Sequence, residues 1–328
     1  MVFVKLKQIV CAAAIACSVF SVLLLAGCQQ QPTDEGVSDT QLMKEASDGE
    51  GKAQEAPFYV LVVGNDSRTG TTEITKEEYA DGTGRSDTMM LARIDPKSFQ
   101  VTLVSVPRDT ETTLDGSVTK INEAYRQGGI EGAIEQVELL TGVKITYYLD
   151  MGFVEFENFV NELGGITTNV PIDMHLADIV SGPNIELSAG TQQLDGPQSL
   201  VLARMRKMYA GDIEACRQIQ DRQIVEVAID KVASDPAGAA AHIDALVDNV
   251  DTNWPIDELT TVVSSFTSNA DKIKVLSGTG PYVGDFMEEH DGMWLVPRDE
   301  ATWKKVMEVV DAGGDPATVV PLPEVQAA

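Results

Sequence analysis

Four short segments of this chain gather the residue types that phosphate chemistry requires. The first is Gly64-Asn65-Asp66-Ser67-Arg68, directly after an apolar run, and the second is Arg85-Ser86-Asp87-Thr88. Carboxylate oxygens suit a magnesium ion shared with phosphate oxygens, so Asp66 and Asp87 are candidate Mg²⁺ ligands. Taken singly, each is as readily a turn or cap residue, favoured beside glycine for backbone reasons. The third segment is Ser105-Val106-Pro107-Arg108-Asp109-Thr110, with Lys120-Ile121-Asn122 beyond it. Arg108 can fork two donors onto a phosphate while Asp109 holds its guanidinium, and Lys120 adds a point charge. The fourth is Arg204-Met205-Arg206, followed by Asp212, Arg217 and Arg222. Side chains two residues apart on a regular helix diverge by about 200°, so a joint clamp by Arg204 and Arg206 requires the helix to end there. Attack of a sugar hydroxyl on phosphorus needs charge stabilisation on the phosphoryl oxygens more than covalent help, and Mg²⁺ with several guanidiniums supplies it. Asp109 and Asp212 are both candidates to accept the hydroxyl proton.

These segments must be held at the ends of regular elements. Phe58 to Val63 is a continuous apolar run ending in Gly64, the pattern of a strand buried on both faces. Further strands are expected over 88–94, 101–106, 145–149 and 166–170, with helices between them over 121–126, 132–141 and 153–163. Alternating strands and helices indicate an α/β fold with a central mixed β-sheet covered by helices. Pro96-Lys97 fits a tight turn, making the second and third strands a hairpin. After Gly196-Pro197 the pattern turns helical, over 198–205, 217–233, 239–247 and 256–268. A short strand at 273–276 and a helix at 300–312 close the domain. Residues 313–328, with Pro321 and Pro323, read as a loose tail.

The N-terminus sets the compartment. Lys5 and Lys7 precede an apolar run that closes on Leu25-Ala26-Gly27-Cys28, which reads as a lipoprotein signal peptide over 1–27 with lipidation at Cys28. The alternative is an uncleaved anchor, since the run approaches the roughly 20 residues that span a bilayer. Either way the remainder faces outward, tethered to the membrane. Residues 28–56 are polar and carry few large apolar side chains, the composition of a flexible tether, and 57–312 form the catalytic domain. Of the four cysteines, Cys216 alone remains in the mature chain without a special role, and it reads as a small apolar core residue. A formal net charge of -27 argues against a nucleic-acid partner. In so acidic a chain, arginines clustered in a few short segments point to an anionic ligand. Trp254, Trp294 and Trp303 read as core residues, with a sugar or lipid groove as the alternative.

The ordered set of segments resembles the LytR-CpsA-Psr family. The resemblance runs from Phe58 to Gly280 through the Asp-Ser-Arg turn, the Arg-Ser-Asp-Thr-Met strand, the Ser-Val-Pro-Arg-Asp-Thr strand end and Lys-Ile-Asn. It continues through Glu162-Leu163-Gly164-Gly165-Ile166, Ala189-Gly190, Leu194-Asp195-Gly196 and Ala203-Arg204-Met205-Arg206. The resemblance implies an apolar pocket for a polyprenyl chain with an arginine-lined mouth for its pyrophosphate. It implies a phosphotransferase that moves a teichoic acid, capsule or related glycopolymer from an undecaprenyl pyrophosphate carrier to the C6 hydroxyl of N-acetylmuramic acid in peptidoglycan. On motif matching, Asp66 and Asp87 would hold magnesium. Arg68, Arg85, Arg108, Arg204, Arg206 and Arg217, with Lys120, would surround the phosphates, and the offset after Asp212 leaves Arg222 as the alternative to Arg217. Three features depart from the common pattern: an acidic loop with Glu73, Glu77, Glu78 and Asp81, an offset between Asp212 and Arg217, and a lipobox in place of a transmembrane helix. The competing readings are a hydrolase of the same lipid pyrophosphate and a non-catalytic polyprenyl-lipid-binding lipoprotein.

Overall fold

The computed structural model describes residues 55–73, 84–211 and 213–328, all within one compact unit. The signal peptide, Cys28, nearly all of the tether, Asp212 and the acidic residues Glu77, Glu78 and Asp81 lie outside the described residues. The elements run β1 (Phe58–Asn65), β2 (Ser86–Asp95), β3 (Gln100–Ser105), β4 (Glu111–Leu114), β5 (Ser117–Lys120), α1 (Asn122–Thr141), β6 (Ile145–Met151), α2 (Phe153–Glu162) and β7 (Ile166–Val170). They continue with β8 (Met174–Ala177), β9 (Asn184–Leu187), β10 (Gly190–Leu194), α3 (Gly196–Arg204), α4 (Ile213–Ser234), α5 (Ala239–Asn249) and α6 (Ile256–Thr267). β11 (Lys274–Thr279), β12 (Asp285–Met287), β13 (Met293–Leu295) and α7 (Glu300–Asp311) complete the fold.

A five-stranded mixed sheet in the order β11-β3-β2-β1-β6 forms the centre. β1, β2 and β3 pair antiparallel, with β2 and β3 joined as the expected hairpin, while β6 and β11 add in parallel at the two edges. Because strand side chains alternate between faces, Tyr59, Leu61, Val63, Met89 and Leu91 pack toward α1 and α7. Their neighbours Phe58, Val60, Met90 and Ala92 pack toward α5 and α6. Both sets are buried, as the continuous apolar run in β1 requires.

Several expectations are corrected. Residues 166–170 form a strand, but it pairs only with β10, outside the central sheet. The two helices expected at 121–126 and 132–141 are present: they are the halves of α1, separated at Gly129, where φ is 62° and a residue with a Cβ is strained. The hairpins β4-β5, β8-β9 and β12-β13 were not anticipated. Residues 313–328 are no loose tail, for Pro316 and Val320 are buried. The Ala210 amide donates to the Gln326 carbonyl at 2.9 Å, and the Ala328 amide donates to that of Met208 at 2.9 Å. The C-terminus thereby clamps the loop that follows Arg206.

Candidate functional site

The site is assembled where β1 and β2 end. Pairing steps from Gly64–Thr88 to Asn65–Ser86, which leaves Asp87 as the extra residue of a bulge. A bulge re-aims side chains and frees backbone groups from the ladder, and the freed Asp87 carbonyl accepts Arg217 Nη2 at 2.7 Å. Across the turn, the Asp66 amide donates to the Arg85 carbonyl at 2.9 Å, and the Arg85 amide donates to Asp66 Oδ1 at 2.5 Å. Gly84 permits this closeness, since a Cβ there would sit 2.7 Å from the Ser67 nitrogen and 3.0 Å from Asp66 Oδ1. Burial and the Asp87 charge push the Asp66 carboxyl up, against the Arg85 amide and the Arg68 and Arg85 charges.

The Arg204/Arg206 pair meets the condition its spacing imposed. A capping box between Asp195 and Gln198 starts α3, and Met205 is extended at φ -63°, ψ 131°, so the helix stops at Arg204. Both arginines then line one cavity. The Arg68 and Arg204 guanidiniums lie 5.1 and 5.0 Å from the centroid of the Phe153 ring, within cation–π range. Burial and, next, Arg68 lower the proton affinity of Arg204; burial and Arg108 do the same for Arg206. Such crowded cations favour an anionic ligand between them.

Helix α4 supplies a hub absent from the sequence reading. Glu214, Arg217 and Asp221 stand three and four residues apart, hence on one helix face. Glu214 pairs with Arg217, with Arg108 at 3.4 Å and with Arg206 at 3.3 Å. Burial alone would raise its carboxyl, but Arg217, Arg108 and Arg206 outweigh that and hold it near 2. Asp221 accepts from the Thr88 hydroxyl at 2.8 Å and from Arg217; burial nevertheless pushes it up to about 6. Arg108 pairs with Asp87. Nε of Arg108 and of Arg206 both face Glu214 Oε2 in their ion pairs without hydrogen-bond geometry, so a ligand oxygen of better alignment can take them.

Not every expected residue joins this mouth. Lys120 Nζ is spent on Asp109 at 2.8 Å, so Asp109 is bound to Lys120 rather than holding Arg108, which it approaches only to 3.9 Å. Neither lines the cavity. Arg85 is half-exposed and pairs with Glu123 at 2.9 Å, so its amide serves the site and its side chain does not. Arg222, one residue past Asp221, turns into the core to donate to Ser105 Oγ at 2.6 Å, and burial lowers its proton affinity to about 10. Arg217, not Arg222, reaches the cavity.

Behind the mouth the cavity runs between the central sheet and α4 and α6, about 480 Å³ in volume, within the range of ligand sites. Its walls are mainly apolar, including Val60, Met90, Ala92, Leu103, Val263 and Phe266, and its charged residues gather at one end: Asp87, Arg108, Arg204, Arg206, Arg217 and Asp221. Trp254 lines it, Trp303 is core, and Trp294 is exposed on β13. Cys216 is buried, as its apolar reading required.

The LytR_cpsA_psr family model matches residues 26–309. Over 210 residues the chain is 37% identical to the polyisoprenyl-teichoic acid–peptidoglycan teichoic acid transferase TagV of Bacillus subtilis (strain 168), a match that covers 60% of this chain and 52% of TagV, about half that relative's length. It is 30% identical to the similarly described TagU of Bacillus cereus (strain AH820), covering 75% of each chain. The crystal structure of B. subtilis TagV superposes with a TM-score of 0.64 at 28% identity, covering 83% of this chain and 100% of that one. The bulged Asp87, the Arg204/Arg206 helix end and the apolar cavity thus occur in a chain that belongs to the LytR-CpsA-Psr family.

Proposed function

We propose that this protein is a phosphotransferase that moves a glycopolymer from a polyprenyl pyrophosphate carrier to peptidoglycan. One observation carries the reading: a long apolar cavity ends in a cluster of guanidiniums, the complement of an amphiphile with a hydrocarbon tail and an anionic head. A bound isoprenoid tail covers these apolar walls, and burial of apolar surface stabilises by about 25 cal/mol per Å².

Arg204, Arg206, Arg108 and Arg217 bind the head, and Glu214 and Asp221 fix the arginines' positions before substrate arrives. Preorganisation of this kind avoids reorganisation cost as charge develops on the phosphoryl oxygens and on the departing polyprenyl phosphate.

The residues fit a divalent cation. Asp66 and Asp87 are close enough for one charge to raise the other's proton affinity, and a cation relieves that repulsion. Among the described residues no third His, Cys, Asp or Glu completes an all-protein cage, which suits Mg²⁺, an ion that takes one or two carboxylates plus substrate phosphates. Mg²⁺ held there would neutralise charge on the phosphates. Anchoring through a lipid on Cys28 would keep the mouth near membrane-borne carrier, on the outer face of the membrane. No helix among the described residues is long and apolar enough to cross a bilayer.

The test is incubation of the full chain with a lipid-linked glycan, Mg²⁺ and peptidoglycan sacculi. A phosphodiester-linked glycan on the sacculi is expected. Free glycan phosphate alone would assign a hydrolase instead.

A further inference from the structure

The β12-β13 hairpin carries an exposed aromatic pair that the donor site leaves unused. Phe286 and Trp294 stand directly opposite across the hairpin, their rings edge to face at 5.0 Å and 75°. They are 66% and 39% exposed, beside Val283 at 72%. Exposed large aromatics clustered on one small element mark an interaction surface more often than scattered single residues do. Trp294 is also seated: a Cβ on Gly284 would fall 2.9 Å from the indole Nε1 and 3.0 Å from Cε2, so the ring lies on backbone where no side chain fits. One side of the indole is thereby backed by the chain while the residue keeps its exposed surface.

The position of the hairpin ties it to the site. The Val296 amide donates to the Asp109 carbonyl at 2.9 Å, and the Glu111 amide donates to the Val296 carbonyl at 2.8 Å. Val296, the residue after β13, thereby bridges Thr110, two residues past Arg108. Trp294 lies two residues along, no more than about 7 Å of chain, and strand pairing adds about 5 Å. The platform is within reach of a short oligosaccharide whose end enters the mouth. The surrounding charge selects among ligands. Asp285, Glu288, Glu289 and Asp291 border the aromatics, disfavouring anionic lipid headgroups by like-charge repulsion. Carboxylates accept hydrogen bonds from sugar hydroxyls, and the flat apolar face of a pyranose matches an indole.

We propose that Phe286 and Trp294 form a saccharide-stacking platform for the acceptor glycan strand of peptidoglycan. The identity of the strand rests on the transferase reading above; sugar stacking does not.

Sedimentation of the full chain with sacculi stripped of attached polymer, without donor, tests the platform directly. Trp294→Ala and Phe286→Ala should each weaken binding about tenfold, the size of an aromatic contact at an interface centre, with unchanged circular dichroism. Trp294→Tyr, which keeps a stacking face, should retain most of it. In the transfer assay Trp294→Ala should raise KM for the acceptor and not KM for the lipid-linked donor. Equal sedimentation of wild type and both alanine variants overturns the platform. Loss of binding to phosphatidylglycerol vesicles with sacculus binding intact assigns the hairpin to the membrane and also overturns it. Trp294-dependent sacculus binding in a protein that transfers nothing leaves the platform standing and removes the transferase reading.

Discussion

The two faces of the central sheet are built from the same strands and end as opposites. Toward α1 and α7, side chains such as Leu61, Leu91 and Val104 meet Val137, Trp303 and Val306 in a closed core. Toward α4 and α6, side chains of the same size, Val60, Met90 and Leu103, face a hollow of about 480 Å³. The difference lies in what stands opposite. On the closed face Trp303 presses so near Gly280 that a Cβ there would lie 2.0 Å from the indole. On the open face rigid rings act as pillars: Tyr147 stacks on Trp254 at 4.7 Å, and Phe99 meets Phe266 edge-on at 5.6 Å. Phe266 on α6 and Trp254 just before it thus meet rings of the sheet layer, and the cavity lies between. Strand composition specifies burial; the helices decide whether a buried face is filled.

Truncation should break this contrast most forcefully on the closed face. Trp303→Ala removes a fully buried ring and should cost about 3–5 kcal/mol in denaturant unfolding, because neighbours cannot collapse into the gap. At the mouth of the open face, Arg204→Ala should lower transfer by about 100-fold with little change in stability. Arg204→Lys should not restore it, since an ammonium lacks the fork geometry and the stacking on Phe153. Enlargement sharpens the comparison from the other side. Ala133→Phe on the closed face should cost about 1–3 kcal/mol by overpacking. Ala92→Phe, whose side chain enters the hollow, should leave stability within about 1 kcal/mol of wild type and abolish lipid binding.

A separate effect concerns pH. Glu157, on α2, is buried, and burial followed by the neighbouring Asp178 raises its carboxyl from 4.5 to about 8. A folded-state value above the unfolded one gives stability that is fully present below the unfolded pKa and lost as pH rises through the folded one. Thermal stability should therefore decline between about pH 5 and 8. Glu157→Gln should flatten that decline, while an unchanged slope would remove the carboxyl from the account.

Much of the frame was legible before the structure. The apolar run at 58–63 announced a strand buried on both faces, and two arginines two residues apart required a helix end, found at Met205. The hollow was not legible, because a residue lining a ligand cavity and a residue filling a core have the same apolar character. Glu214 and Asp221 are legible only in part: their spacing to Arg217 places all three on one helix face, but a carboxylate in so acidic a chain carries no signal of its own. Arg222 sits beside that face, yet one further residue rotates a helical side chain by about 100°, here to Ser105. The proline-bearing C-terminus read as loose because its few apolar residues showed no periodicity. Pro316 and Val320 are nonetheless buried, and backbone pairing to residues 208 and 210 adds the rest.

The central claim is that the open face is hollow in order to hold an isoprenoid chain. Mass spectrometry of the organic extract of the purified full chain tests it most directly, with Ala92→Phe prepared in parallel. Polyprenyl phosphate or pyrophosphate should accompany the wild-type protein and be absent from the variant. Extracts without polyprenyl lipid, or with equal amounts from both proteins, would contradict the account.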